Sequence, residues 1–140
     1  MLRELLRLGR RADPAPVPPP GPSREEIGLD LIHACDSFDV VLTRAAQVAV
    51  GLPLDTEPEF VPLPDVLERA RTGGFITDSE VADWRLALRV RIDYLSEQRP
   101  PTHEIAEAVA VFRRLEADVR ARLGGDAPPP LPRYEPRPPL

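Results

Sequence analysis

Lysine and asparagine are absent from this chain, and all 18 of its basic side chains are arginine. Such a pattern accompanies GC-rich coding, with arginine standing wherever another chain would use lysine. Cysteine occurs once, at Cys35. A single thiol excludes an internal disulfide, and with only His33 and His103 beside it the chain offers a poor metal set. No apolar run approaches the roughly 20 residues that span a bilayer; Val40-Val41-Leu42 falls far short of it. Near the N-terminus Leu2, Leu5, Leu6 and Leu8 are interrupted by Arg3, Glu4 and Arg7, which is not the pattern of a signal peptide. The expectation is a cytoplasmic protein without metal, cofactor or transmembrane segment.

Proline, by contrast, is abundant and uneven. Of 19 prolines, six lie between Pro14 and Pro22 and seven between Pro128 and Pro139. Stretches of this kind behave as extended linkers or tails rather than as core. They divide the 140 residues into a short Arg/Leu segment at 1–12, a linker at 13–22, a body at 23–125 and a tail at 126–140. The tail is expected to be unstructured. Residues 1–12 read as a short amphipathic helix, too short to be stable alone in water. Its leucines Leu2, Leu5 and Leu6 are candidates for contact with the body, a partner or an anionic membrane surface.

Within the body the apolar spacing is helical throughout. Ser23 and Glu26 form a capping-box signature, followed by Ile27, Leu31, Ala34, Phe38, Val41, Ala45 and Val48 at steps of three and four. A short helix over 65–72 carries Val66, Leu67 and Ala70 and stops at Gly73-Gly74. Thr77 and Glu80 form a second box, opening a helix with Val81, Trp84, Leu88, Ile92 and Leu95 on one face. Thr102 is expected to cap the last helix, whose stripe is Ile105, Val109, Phe112, Leu115 or Glu116, Val119 and Leu123. No segment alternates as a strand does, and aromatics are only 5 %. The reading is an all-α bundle of three long helices and one short one.

Charge is divided as unevenly as proline. The whole chain is at −5, but residues 1–22 carry +2 and residues 126–140 carry none, so the bundle stands at −7. Phosphate neutralisation supplies most non-specific affinity for nucleic acid. A domain this acidic is a poor binder of that backbone.

The order of a short helix, a Gly turn, F-I-T-D-S-E-V at 75–81, W-R-L-A-L-R-V-R-I-D-Y-L-S at 84–96, P-P-T at 100–102 and E-I-A-E-A-V-A-V-F-R-R-L at 104–115 resembles the small helical bundles of the HEPN superfamily. Those modules occur in bacterial toxin and defence systems. The resemblance covers about three quarters of the chain. It implies a metal-independent ribonuclease or nucleotide-binding activity, built from an Arg, a polar residue after it and a His on the same helix end, in a dimer. Arg91 fits the Arg position, yet Ile92 follows it and Ser96 stands at the His position. Serine has no pKa near neutrality and does not replace imidazole as a base. Arg91, Asp93 and Ser96 are the candidate catalytic residues, with Arg99 and His103 a displaced alternative. Arg89, Arg91 and Asp93 also read as a solvated ion-paired face. So do Glu25, Glu26, Asp36 and Asp39, with His33 on the polar side and Cys35 toward the core.

The tail carries a second kind of signal. Arg133, Pro136 and Pro139 fit the R-x-x-P-x-x-P form recognised by aromatic polyproline grooves, and Tyr134 lies within it. A plain spacer has the same composition. Together these features favour a non-catalytic interaction module, an adaptor, regulator or assembly component. It would bind another protein through the N-terminal helix or the tail, with a homodimer as a further expectation.

Overall fold

The computed structural model describes residues 21–53 and 61–135. The expected helix at 1–12, with Leu2, Leu5 and Leu6, lies outside the described residues, as do Pro136 and Pro139. Four helices and one short 3-10 turn make up the described chain, which is all-α with no strand among those residues. They are α1 (Arg24–Ala49), α2 (Leu63–Thr72), α3 (Asp78–Leu95) and α4 (Thr102–Leu123), and the turn is Gly124–Asp126.

Local signals start and stop these helices. Ser23 accepts a hydrogen bond from the Glu26 amide at 3.1 Å, which is one half of the expected box. At α3 the box is complete: Thr77 Oγ1 accepts from the Glu80 amide at 3.1 Å, and Glu80 accepts from the Thr77 amide at 2.9 Å. Thr102 departs from expectation. It is the first helical residue of α4, behind an N-cap at Pro101 that makes no side-chain cap bond. Its hydroxyl instead accepts from Arg24 Nη1 at 3.5 Å. Gly124 ends α4 at φ 60, a left-handed conformation in which a Cβ would be strained.

The core is built on α1 and α4, which share the broadest contact in the fold. Leu31, Phe38, Val41 and Ala45 from α1 meet Ile105, Phe112, Leu115 and Val119 from α4, all at 0 % exposure. Burial of this apolar surface, at about 25 cal/mol per Å² removed from water, holds the bundle together. Arg24 beside Thr102 at one end and Arg44 beside Asp126 at the other make the two helices run the same way. Helix α2 covers the C-terminal part of α1, and α3 lies antiparallel on α4, with Asp83 and Glu80 opposite Arg114 and Arg122.

Helix α3 does not bury the stripe its apolar spacing predicts. Trp84 and Ala87 are buried, whereas Ile92 and Leu95 stay 50 % and 54 % exposed. Its inner face passes instead through Arg91 and Tyr94, both half-buried. Tyr94 lies across Gly28 of α1, where a Cβ would collide with the phenol ring and its hydroxyl.

Candidate functional site

The three candidate catalytic residues do not share a cleft. Arg91 faces α1, where its Nη2 lies 3.7 Å from Asp36 Oδ1. Asp93 turns outward to Arg89 at 3.4 Å. The Ser96 hydroxyl donates to the Ile92 carbonyl at 2.7 Å and so is spent on the end of its own helix. At about 100° per residue, positions two apart on a helix point to different sides. The displaced alternative fares no better, since Arg99 and His103 are both exposed and Arg99 has a left-handed φ of 52. The ribonuclease constellation implied by the family resemblance is therefore not assembled among the described residues.

A different set of residues is brought together, on the polar side of α1. Asp36 stands at its centre. One of its oxygens pairs with Arg91, and the other accepts from the Tyr134 hydroxyl at 3.1 Å. The Tyr134 ring meets His33 edge-on, with centroids 4.9 Å apart and planes at 84°. His33 Nε2 lies 3.4 Å from the Leu131 carbonyl, to which the Nε2–H tautomer donates. One turn back along α1, Asp30 pairs with Arg133 at 3.6 Å and with Arg113 at 3.7 Å. A cleft of about 560 Å³ lies between Glu26, Leu29 and Asp30 on one side and Arg133 and Tyr134 on the other.

From Asp126 to Tyr134 the tail is thus not free of the bundle, contrary to the expectation from its proline content. It has no regular secondary structure from 127 to 135, but it is bound. Arg44 donates to the Asp126 carbonyl at 3.2 Å, Arg120 donates to the Pro128 carbonyl, and Pro128 is buried. The geometry has a simple origin. From Arg44 back to Asp30 the helix rises about 21 Å at roughly 1.5 Å per residue. From Asp126 to Arg133 an extended proline-rich chain covers about 22 Å at roughly 3.1 Å per residue. The tail therefore keeps step with α1 while running the opposite way. Its carbonyls take arginine donors, and its Arg133 and Tyr134 side chains reach two aspartates.

Electrostatics at this face follow from crowding. Desolvation first, and the Asp36 charge second, push Asp39 up to about 6 despite an opposing pull from Arg91. Asp39 keeps an exposed surface, so its desolvation comes from the neighbours crowding it and not from enclosure. Burial chiefly, with the Asp39 charge behind it, pushes the Cys35 thiol up to about 12. The hydrogen bond to Asp36 raises the Tyr134 phenol, with desolvation and the Asp36 charge adding to it. None of these groups is activated as a nucleophile at neutral pH. Arg91 Nε is buried without an acceptor among the described residues.

No cluster of three or more His, Cys, Asp or Glu suited to a metal ion occurs among the described residues. No helix among them is long and apolar enough to cross a membrane. Cys35 is fully buried, as its place on the α1 stripe suggests. Arg133 and Tyr134 were legible in the tail, but not the residues that receive them, Asp30, His33 and Asp36, nor Arg44 and Arg120, which hold the tail's carbonyls. The one available signal was a basic and aromatic pair in the tail facing an acid-rich helix face. Compared with family models, curated proteins and solved structures, the chain matches none.

Proposed function

We propose that this chain is a non-catalytic protein-interaction module, a small cytoplasmic adaptor or assembly component that presents a proline-rich recognition peptide. The observation that carries this reading is the seating of Arg133 and Tyr134 on Asp30 and Asp36. These are the two side chains that distinguish the tail from a plain spacer. An extended Pro-rich peptide is preorganised for an aromatic groove, because little conformational freedom remains to be lost on binding. Fixing its start on α1 gives the motif at Arg133, Pro136 and Pro139 a defined point of departure. The HEPN-like relationship enters as a scaffold whose Arg and His chemistry has been lost. The dispersal of Arg91, Asp93 and Ser96 supports that view, as does the −7 charge of the bundle, which disfavours a nucleic-acid substrate.

The test is a titration of the full chain against a panel of polyproline-groove domains of the SH3 and WW types. Binding that disappears in the double variant Arg133→Ala, Pro136→Ala supports the reading. Failure of both the full chain and a peptide of residues 126–140 to bind any of them overturns it. Metal-independent RNA cleavage abolished by Arg91→Ala also overturns it.

A further inference from the structure

Helices α3 and α4 leave between them an open apolar groove of about 460 Å³ that nothing described so far uses. Leu86 stands at its mouth with 72 % of its surface exposed, the most exposed large apolar side chain among the described residues. Val90 and Val111 are half-buried behind it. The rim is acidic, with Asp83, Asp93, Glu104 and Glu107 against the single Arg89. Arg114 and Arg89 offset Asp83 and Asp93 at 2.8 Å and 3.4 Å, while Glu104 and Glu107 have no ion-pair partner among the described residues.

We infer that this groove is the docking site of the chain's own N-terminal segment, residues 1–12, seated as a helix with Leu2, Leu5 and Leu6 inward. The first argument is complementarity. The segment sets Arg3, Arg7, Arg10 and Arg11 against Glu4, a net +3, facing a rim whose lining charges sum to −3. Leu2, Leu5 and Leu6 fall on one helical face, matching an apolar floor with charged edges.

The second argument is where the tether begins. Arg24 Nη1 lies 3.5 Å from Thr102 Oγ1, so the start of α1 adjoins the start of α4. Glu104 and Glu107 follow within about 8 Å along that helix at 1.5 Å per residue. The ten residues 13–22 span about 30 Å when extended, ample for the segment to reach the groove. A tether of this length holds its segment at an effective concentration in the millimolar range. Docking then supplies the partner that a helix of this length needs to be stable. A second copy of the bundle is disfavoured, because pairing two identical acidic grooves sets like charges against each other. The inference is independent of the tail and stands whether or not the tail binds a partner.

Disulfide trapping in the full chain tests it, with Cys35 enclosed in the core and unable to compete. The pair Leu5→Cys, Leu86→Cys is compared with Leu5→Cys, Val50→Cys, whose second position is exposed at the far end of α1. The expected result is an intrachain bond forming about tenfold faster at Leu86, independent of protein concentration. Adding Glu104→Arg and Glu107→Arg slows it toward the control. Equal rates for the two pairs overturn the inference, as does a rate unaffected by charge reversal. Cross-linked dimers whose yield rises with concentration also overturn it, in favour of a second copy.

Discussion

The Tyr134 hydroxyl donates to Asp36 Oδ2 at 3.1 Å across a sequence separation of 98 residues. The same carboxylate faces Arg91 through its other oxygen. One aspartate therefore ties the tail to α1 and α1 to α3. Because Arg133, the first residue of the candidate motif, sits next to this contact, the Tyr134 contact fixes where the motif leaves the bundle.

Tyr134→Phe removes one hydrogen bond to a charged acceptor while keeping the ring against His33. At a half-buried position this costs about 1 kcal/mol, local to the tail. Amide exchange and tryptic cleavage at Arg133 should therefore accelerate several-fold, with the thermal midpoint of the bundle unchanged. Asp36→Ala should loosen the tail further and lower the midpoint as well, because it also leaves Arg91 facing α1 without its carboxylate.

Gly28→Ala should destabilise the whole bundle. A Cβ there collides with the Tyr94 ring and hydroxyl, and because Gly28 is buried Tyr94 must be displaced from its place on α1. Overpacking of this kind costs about 1–3 kcal/mol, measured as a lower urea midpoint at unchanged slope. Tyr94→Ala in the same chain should recover most of the loss, whereas Tyr94→Ala alone destabilises.

Asp39 makes stability depend on pH. Its folded pKa, about 6, lies above the ordinary value of 3.8. Between these values the folded chain holds a proton that the unfolded chain has released. Stability therefore falls as pH rises through this window and levels off above it. Asp39→Asn removes the cost of the charged form. The variant should gain midpoint over the parent at about pH 7.5 and lose most of that advantage near pH 4. Paired urea curves at the two pH values decide the matter.

Cys35 should be inert while the chain is folded. It is fully buried, and its thiol is pushed up to about 12. Thiolate is the reactive form, so a chromogenic disulfide reagent at neutral pH should label it only at the rate of unfolding. Labelling should become immediate in denaturant, and Gly28→Ala should speed it under native conditions.

Much of the architecture was legible in the residues themselves. The starts of α1 and α3 follow from Ser23 and Thr77 and the end of α2 from Gly73, and the stripes of α1 and α4 are the ones buried. Helix α3 shows where such reading stops. Its apolar positions 81, 84, 88, 92 and 95 are correctly helical, but the helix packs on α4 with only a narrow strip and meets α1 along another. That arrangement turns Arg91 and Tyr94 inward and leaves Ile92 and Leu95 in solvent. Apolar spacing identifies a face; the neighbours decide how much of it is covered.

The candidate site divides the same way. Arg133 and Tyr134 stand out in a proline-rich tail by chemistry alone. Asp30, Asp36 and His33 look like any solvated helix face until the tail is laid over them.

The amino-acid sequence by itself determined the class of fold, several of its helix ends and the acidity of the bundle. These depend on short-range spacing, on caps and stops within a few residues, and on counting charges. Only the tertiary structure decided that Arg91, Asp93 and Ser96 go separate ways and that a tail of prolines lies bound along α1. The first depends on which side of α3 is laid against α1, the second on surfaces that meet across 98 residues of chain. That is fixed by the burial of α1 against α4 and by the match between an extended chain's rise and a helix's, neither of which is written in any local segment.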